Sequence, residues 1–308
     1  MIVTDGNGHV INSNMSDRVW IIADRASLLH DKQIRLARFY LWRECLHGGH
    51  DLVPIFVINL DRDTDRLEHM QRQFDVMGQT FHRIPAVLGR ELPDSLRDQF
   101  PPSDLAEGLV GNYASHLVAA QRLLDSQSEA AIVVEDDLDL DVDHFISTVT
   151  AALALAPQGW DVINILSVSS RAMLKVRDLG NGRALVRFSR HPWDCAGYVI
   201  SRSGAAKLLK RKSRTKGMDF EMRHPWHFGF NTFGICPPLS SYAPFGSSVD
   251  VISTTRRPVP RTQMGIDGVL WYWRTLGAVG ALKCAVSNIV GSIKRRMGGP
   301  KTYGRVIE

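Results

Sequence analysis

The sequence predicts an α/β protein, a mostly parallel sheet flanked by helices, with a basic amphipathic helix at its C-terminal end. Apolar runs of strand length alternate with stretches whose apolar residues recur every three or four positions, the order that builds parallel sheets covered on both faces. The 308 residues are 44% hydrophobic and 22% charged, an ordinary globular composition that excludes a disordered, collagenous or multispanning chain. Charge is placed unevenly: the net is +5, yet residues 256–308 hold ten Lys/Arg against two Asp/Glu, so the first 255 residues are slightly acidic. A basic end on an acidic body implies attraction to an anionic surface through the C-terminus rather than a nucleic-acid-binding body.

Three regions are expected: an extension over 1–52 without readable function, a catalytic body over 53–255 and the tail over 256–308. From Pro54 the elements read clearly. Ile55-Phe56-Val57-Ile58 is a buried strand ending at Asn59-Leu60-Asp61. Leu67, Met70, Phe74 and Met77 give the following helix, which Asp63 or Thr64 can cap and Gly78 closes. Phe81 to Pro85 is a short strand, and the Pro-rich stretch Pro93 to Glu107 a loop with one turn of helix. Gly108 to Gly111 introduces a helix to Leu124, with Asn112 as its N-cap. Ala130 to Val134 is a strand running into Glu135-Asp136-Asp137. Val142 to Leu155 reads as helix, Asp161 to Leu166 as strand, Ala184 to Phe188 as an antiparallel strand and Ala196 to Ile200 as a strand followed by a helix over Ala205 to Lys210.

Cys45, Cys195, Cys236 and Cys284 form no CxxC pair, so neither a zinc site nor a disulfide framework is expected, and a reducing cytoplasm is the default compartment. In sheets of this kind ligands bind beyond the carboxyl ends of the strands. Two strand ends are polar, Asn59-Leu60-Asp61-Arg62 and Glu135-Asp136-Asp137. Acids projecting from a buried strand end suit Mg²⁺ or Mn²⁺, which take a few carboxylate oxygens together with substrate phosphates and water. Ile132 to Asp137 also resembles the first strand and acidic pocket of response-regulator receiver domains. A receiver would need a phosphoacceptor aspartate at a later strand end, where this chain has Ile165-Leu166-Ser167.

Four segments in order carry a stronger resemblance: Val57 to Arg62 with Asp65-Arg66, Gly111-Asn112-Tyr113-Ala114-Ser115-His116, Ile132 to Asp137, and Ala196 to Ser201. With Asp219 at a late acidic position, they resemble glycosyltransferase family 25, the group of bacterial lipopolysaccharide and lipooligosaccharide galactosyltransferases and animal collagen galactosyltransferases. The resemblance covers about Pro54 to Tyr242. It departs at Asn112, where the family usually carries Cys after the Gly.

The resemblance implies a GT-A-like (Rossmann-like) catalytic domain that transfers a hexose, galactose above all, from a UDP-sugar to a glycan acceptor in lipopolysaccharide or other cell-surface glycan biosynthesis, with inversion. Asp137 and Glu135 would hold the divalent cation at the diphosphate, with Asp136 beside the donor. Asn59, Leu60 and Arg62 would meet base or ribose, and Arg66 would reach phosphate or pair with a neighbouring acid. Gly111, Ser115 and His116 would offer a helix start to an anion. Inversion needs a carboxylate that takes the acceptor proton, for which Asp219 is preferred over Glu221, both expected in a loop. A non-catalytic nucleotide-sugar-binding protein is the remaining alternative.

His191-Pro192-Trp193 and His224-Pro225-Trp226 offer indole faces for sugar stacking or plain packing. In the tail, Val269, Trp273, Leu276, Leu282, Val286, Ile289, Ile293 and Met297 fall at near-helical spacing before Lys294-Arg295-Arg296. Arg274, Lys283 and Asn288 inside this pattern argue against a membrane span. They favour a helix lying on an anionic membrane, with Trp271, Tyr272 and Trp273 at headgroup depth, on the inner face of the cell membrane where a lipid-linked acceptor would sit. Docking on the catalytic domain is the alternative.

Overall fold

The computed structural model describes residues 53–166, 169–211, 213–246, 265–296 and 304–308, with backbone alone for 294–296. The extension expected over 1–52 lies outside them.

The first strand, β1 (Ile55–Asn59), is buried along its whole length. Its side chains alternate between two apolar layers. Ile55 and Val57 face Met70 and Phe74 of α1 (Thr64–Val76), while Phe56 and Ile58 face Tyr113 and Leu117 of a long helix, α3 (Glu107–Asp125). A strand with no polar face is what two covering helical layers require. The strand β2 (His82–Pro85) and the strand β3 (Ala130–Glu135) pair parallel with β1 on either side. Between β2 and α3 lie a 3₁₀ turn, Gly89–Glu91, and the single-turn α2 (Asp94–Arg97).

Beyond β3 the sheet becomes mixed. The next elements are β4 (Leu138–Leu140), α4 (Phe145–Leu155), β5 (Val162–Asn164), β6 (Met173–Gly180), β7 (Arg183–Phe188) and β8 (Gly197–Ser201). After these come α5 (Arg202–Lys210), the short α6 (Met218–Met222), β9 (Thr232–Cys236), β10 (Ser240–Tyr242), α7 (Ile266–Arg296) and β11 (Val306–Ile307). Among the described residues the main sheet has nine strands in the order β11-β6-β7-β9-β5-β8-β3-β1-β2. The parallel core β2-β1-β3 meets β8 running antiparallel, and β8 in turn pairs antiparallel with β5. The strand β4 leaves the sheet and pairs with β10, with Tyr242 opposite Leu138. That small ladder brings the chain near residue 242 back beside the end of β3.

The helix α3 begins at Glu107, not at Asn112, and Ala106 is its N-cap. Gly111 is helical and needed for another reason: a Cβ there would lie 2.4 Å from the Val87 carbonyl oxygen and 2.9 Å from Gly89 N. The helix after Ala196 to Ile200 starts at Arg202, ahead of the expected Ala205, because Ser201 caps it by accepting from Gly204 N.

The boundary expected at 255/256 lies outside the described residues. Residues 51–308 form one compact unit, and β11 pairs parallel with β6 at the sheet edge. The helix α7 is interrupted at Gly277 (φ 69) and docks through Tyr272, Leu276, Ala281 and Cys284. Its polar residues face inward as well: Asn288 accepts from Ala172 N at 2.7 Å and donates to Ser189 Oγ, and Arg171 donates to Ser292. Tyr272 is buried and accepts from His191 N at 2.8 Å, and Trp271 packs inward, so of the three aromatics only Trp273 is exposed. The outward face is apolar: Val279, Leu282, Val286, Ile289, Val290 and Ile293 are all exposed. The helix thus meets the protein with a mixed face of apolar and hydrogen-bonding residues, and leaves most of its large apolar side chains exposed together with Arg274 and Lys283.

Candidate active site

Parallel pairing in the register Ile58 with Glu135 puts the polar ends of β1 and β3 side by side. The three acids that follow β3 take different directions. Asp136 is buried and saturated: Asn59 Nδ2 donates to its Oδ2 at 2.6 Å and Arg66 Nη1 to its Oδ1 at 3.0 Å. It ties the end of β3 to β1 and α1. Burial raises its carboxyl above the ordinary range, and the Asn59 and Arg66 bonds only partly offset that. Arg66 also donates to the Gly246 carbonyl and stands 3.8 Å from Asp137 Oδ2. Of its two expected roles, pairing with an acid is the one observed. Asn59 is held in turn by Arg83 Nε at 2.8 Å. Both residues brace the site from beneath. Leu60 and the exposed Arg62, 3.6 Å from Asp63, lie at the rim.

Glu135 is gripped from α3. Asn112 Nδ2 donates to its Oε1 at 3.0 Å, and His116 Nε2 lies 3.2 Å from the same oxygen. These two residues are four apart, hence on one helix face. Burial works to raise the Glu135 carboxyl, but the His116 and Asn112 bonds and the charge of Arg66 hold it below its ordinary range. His116 Nδ1 is 3.0 Å from the Tyr198 hydroxyl, so β8 orients the imidazole from behind. Ser115, eight residues into the helix, donates to the Gly111 carbonyl and accepts from Val87 N at 2.8 Å. Gly111, Ser115 and His116 therefore do not form a helix N-terminus open to an anion. They clamp the 87–89 loop and position Glu135.

Asp137 differs from both neighbours. Its Oδ1 is buried and accepts no hydrogen bond. Burial, then the charge of Glu135, push this carboxyl up to about 7 against partial relief from Arg66. A buried acid left unpaired beside two others is unfavourable in the protein alone.

Asp219 arrives from α6, not from a loop. Its Oδ1 accepts from Cys195 N at 3.1 Å, and burial raises the carboxyl, with Glu135 close enough to raise it further. Cys195 Sγ is 3.7 Å from His116 Nε2, which joins Asp219 to the Glu135 network. Glu221 is on the opposite side of the same short helix. It is buried in an ion pair with Arg211 at 2.5 Å, beside Arg214, whose guanidinium donates to the Tyr113 hydroxyl at 2.8 Å. Positions two apart on a helix do not share a face, so the expectation that Glu221 serves the site is corrected: it belongs to a buried structural network.

The donor set fits a hard divalent cation. Asp137 supplies the unpartnered buried oxygen, and Glu135 is bonded on one oxygen only, which leaves Oε2. A second grouping, His116, Glu135 and Cys195, brings ligand-type atoms within 4.8 Å of one another. Its thiol and imidazole suit softer metals, and burial pushes the Cys195 thiol well up. Asn112, expected as a cap, and Tyr198, expected only as part of a strand, are the site residues that the sequence pattern does not single out. The four-residue step from Asn112 to His116 was the available signal. The receiver alternative finds no second acid, since β5 ends at Asn164.

The chain is similar to known proteins. The family model "Glycosyltransferase family 25 (LPS biosynthesis protein)" matches residues 52–222. An Anopheles gambiae protein, "Glycosyltransferase 25 family member", is 29% identical over 182 residues, covering 54% of this chain and 30% of its own length. The Xenopus laevis "Procollagen galactosyltransferase 1-B" is 25% identical over 219 residues, covering 67% of this chain and 35% of its own. The chain thus spans about a third of the length of these curated relatives. A solved glycosyltransferase involved in glycosylation of the major capsid of PBCV-1 aligns at TM-score 0.31 and 8% identity, over 63% of this chain and 94% of its own. With the family match running through β1, α3, β3, β8 and Asp219, the segments that build the acidic site, the chain belongs to glycosyltransferase family 25.

Proposed function

We propose that the protein transfers a hexose, galactose from UDP-galactose above all, to a glycan acceptor of the cell surface, lipopolysaccharide or a related lipid-linked glycan, with inversion and with a divalent cation. The observation that carries the reading is the buried, unpartnered Asp137 oxygen among the carboxylates at the end of β3. Asp137 and Glu135 would hold Mn²⁺ or Mg²⁺, whose charge would stabilise the departing diphosphate. Asp136, Asn59 and Arg66 fix the platform beneath. Asp219 would accept the proton of the attacking hydroxyl. Incubation with a panel of nucleotide sugars and Mn²⁺ or Mg²⁺ tests this. UDP release with UDP-galactose, stimulated by a galactan or lipopolysaccharide-core acceptor and stopped by EDTA, is expected. Donor binding without release across the panel and a broad acceptor set would instead make the protein a nucleotide-sugar binder.

The same reading puts the enzyme on the cytoplasmic face of the cell membrane, held there by α7. Support comes from the exposed apolar stripe Val279 to Ile293, in a helix whose sequence continues into Lys294-Arg295-Arg296. The span Ile266–Ile293 is long and apolar enough to cross a bilayer, with mean hydropathy 1.5. Tyr272, Asn288 and Ser292 are nevertheless bonded to the body, which fits lying on the surface better than spanning. Co-sedimentation with vesicles containing anionic lipid is expected for the wild type and reduced severalfold by I289E/V286E, two exposed positions. Equal weak binding to neutral and anionic vesicles, unaffected by these changes, would sink the membrane assignment.

A further inference from the structure

The two His-Pro-Trp repeats have different fates. Trp226 packs among Trp271, Tyr272 and His224, ring centroids 6.3, 5.9 and 4.9 Å away, and its role is packing. Trp193 rests on Phe220, ring centroids 6.1 Å apart, and still leaves 43% of its surface exposed. It is nevertheless held in place, since the buried Arg223 guanidinium lies 4.2 Å from its ring centroid. Its position is informative. Trp193 stands two residues before Cys195, whose N–H is bound by Asp219, and Arg223 N donates to the Asp219 carbonyl at 3.1 Å. The indole and its support are therefore fastened to both sides of Asp219.

A second exposed ring approaches from the other arm. Tyr242, 56% exposed, donates its hydroxyl to Asp194 Oδ2 at 3.0 Å. Asp194 is the residue after Trp193, and its Oδ1 accepts from Ala196 N at 3.0 Å. Tyr242 also lies opposite Leu138 in the β4–β10 ladder, and the next residue donates from Ala243 N to the Asp137 carbonyl at 2.9 Å. Two exposed aromatic residues are thus joined to the segment around Asp194, Trp193 as its chain neighbour and Tyr242 through its hydroxyl, and the same two chain segments bond the Asp219 side chain and the Asp137 carbonyl.

We propose that Trp193 and Tyr242 form the seat of the acceptor sugar, a hexose ring whose C–H face lies against these side chains while a hydroxyl is presented to Asp219. The inference rests on the glycosyl-transfer reading above and extends it to the acceptor. Aromatic planes with a polar tip suit a pyranose, which has an apolar C–H face and hydroxyls around its edge. The acceptor side is favoured over a nucleotide base because Trp193 belongs to the segment whose Cys195 N–H is bound by Asp219 and Tyr242 is bonded to Asp194 of that segment, whereas Asn59 and Arg83 are bonded to each other at the end of β1 beside Asp136. Asp194, fixed between the two rings, is positioned to accept from a sugar hydroxyl.

The test is saturation-transfer NMR with methyl β-D-galactopyranoside, methyl β-D-glucopyranoside and methyl α-D-mannopyranoside, in the presence of UDP and Mg²⁺, with UDP affinity measured separately by calorimetry. Saturation is expected on the ring C–H protons of at least one hexoside. It should fall about tenfold for W193A and recover in W193F, with UDP affinity unchanged. Y242F should keep the ring contact and weaken binding less than Y242A. Absence of hexoside contact in the wild type, or undiminished contact in W193A, overturns the proposal. A parallel loss of UDP affinity in W193A also overturns it, because the rings would then stack a base. If UDP fails to bind the wild type while the hexoside contacts persist, the donor reading fails and the acceptor seat stands.

Discussion

Replacing Asp137 with asparagine is expected to lower nucleotide-sugar turnover by roughly 10²–10³-fold, with no loss of thermal stability. The two halves of this expectation have separate causes. The lost function follows from the oxygen inventory of the site: Asp136 is consumed by Asn59 and Arg66, and Glu135 Oε1 by Asn112 and His116. Asp137 Oδ1 is then the buried carboxylate oxygen available to a cation. Retained stability follows from the same fact, since the oxygen has no hydrogen bond to lose. Its charge faces Glu135 and Asp136 with only Arg66 to balance three acids. Removing that charge relieves like-charge repulsion, so the melting temperature in metal-free buffer should stay level or rise by a few degrees. Turnover assays beside thermal melts check both. A D137N enzyme with near wild-type turnover would exclude Asp137 from the cation site, and one that melts much lower would show a structural role in its place.

The parts of the fold that were legible in the sequence are those where one physical demand acted alone. Two covering layers demand a strand with no polar face, and Ile55 to Ile58 and Ala130 to Val134 have none. Where demands overlapped, the reading failed. Gly108 and Gly111 look like helix breakers, yet Gly111 is small because Val87 and Gly89 press against the helix there, so α3 starts earlier and Asn112 is free to hold Glu135. The strands β6 and β10 gave no clear signal: Met173 to Gly180 interleaves Lys175, Arg177 and Asp178 with its apolar residues, and Ser240-Ser241-Tyr242 is nearly polar. Their place comes from pairing with distant partners. In the tail the periodicity was correct but ambiguous, since it does not tell which face meets protein. Tyr272, Leu276, Ala281 and Cys284 dock with Asn288 and Ser292 bonded beside them, which leaves Val279, Leu282, Val286, Ile289, Val290 and Ile293 outward.

Site residues divide along the same line. The sequence pattern located the acids but not their partners, because a carboxylate's role depends on what has already taken its oxygens. Asp219 and Glu221 show this most clearly, being two residues apart with opposite surroundings.

Asp219→Asn should reduce transfer to acceptor by roughly 10²–10⁴-fold, the range of a lost general base, and leave UDP affinity unchanged. The asparagine oxygen can still accept from Cys195 N, so the local fold is kept. Glu221→Gln makes the control. It breaks a buried ion pair with Arg211 beside Arg214, so it should lower stability, by an amount on the order of 3–5 kcal/mol at the upper limit, while the folded fraction keeps its specific activity. The pH dependence separates the two further. Burial raises the Asp219 carboxyl, and a base works only when ionised, so acceptor transfer should fall as pH drops through a value above the ordinary aspartate range. In D219N the residual rate should lose that acidic limb. In E221Q the limb should remain, because Glu221 faces Arg211 and Arg214 and not the acid cluster. If D219N kept both rate and limb, the proton would have to leave by another route, and Asp219 would be a brace for Cys195 like Asp136 is for β1.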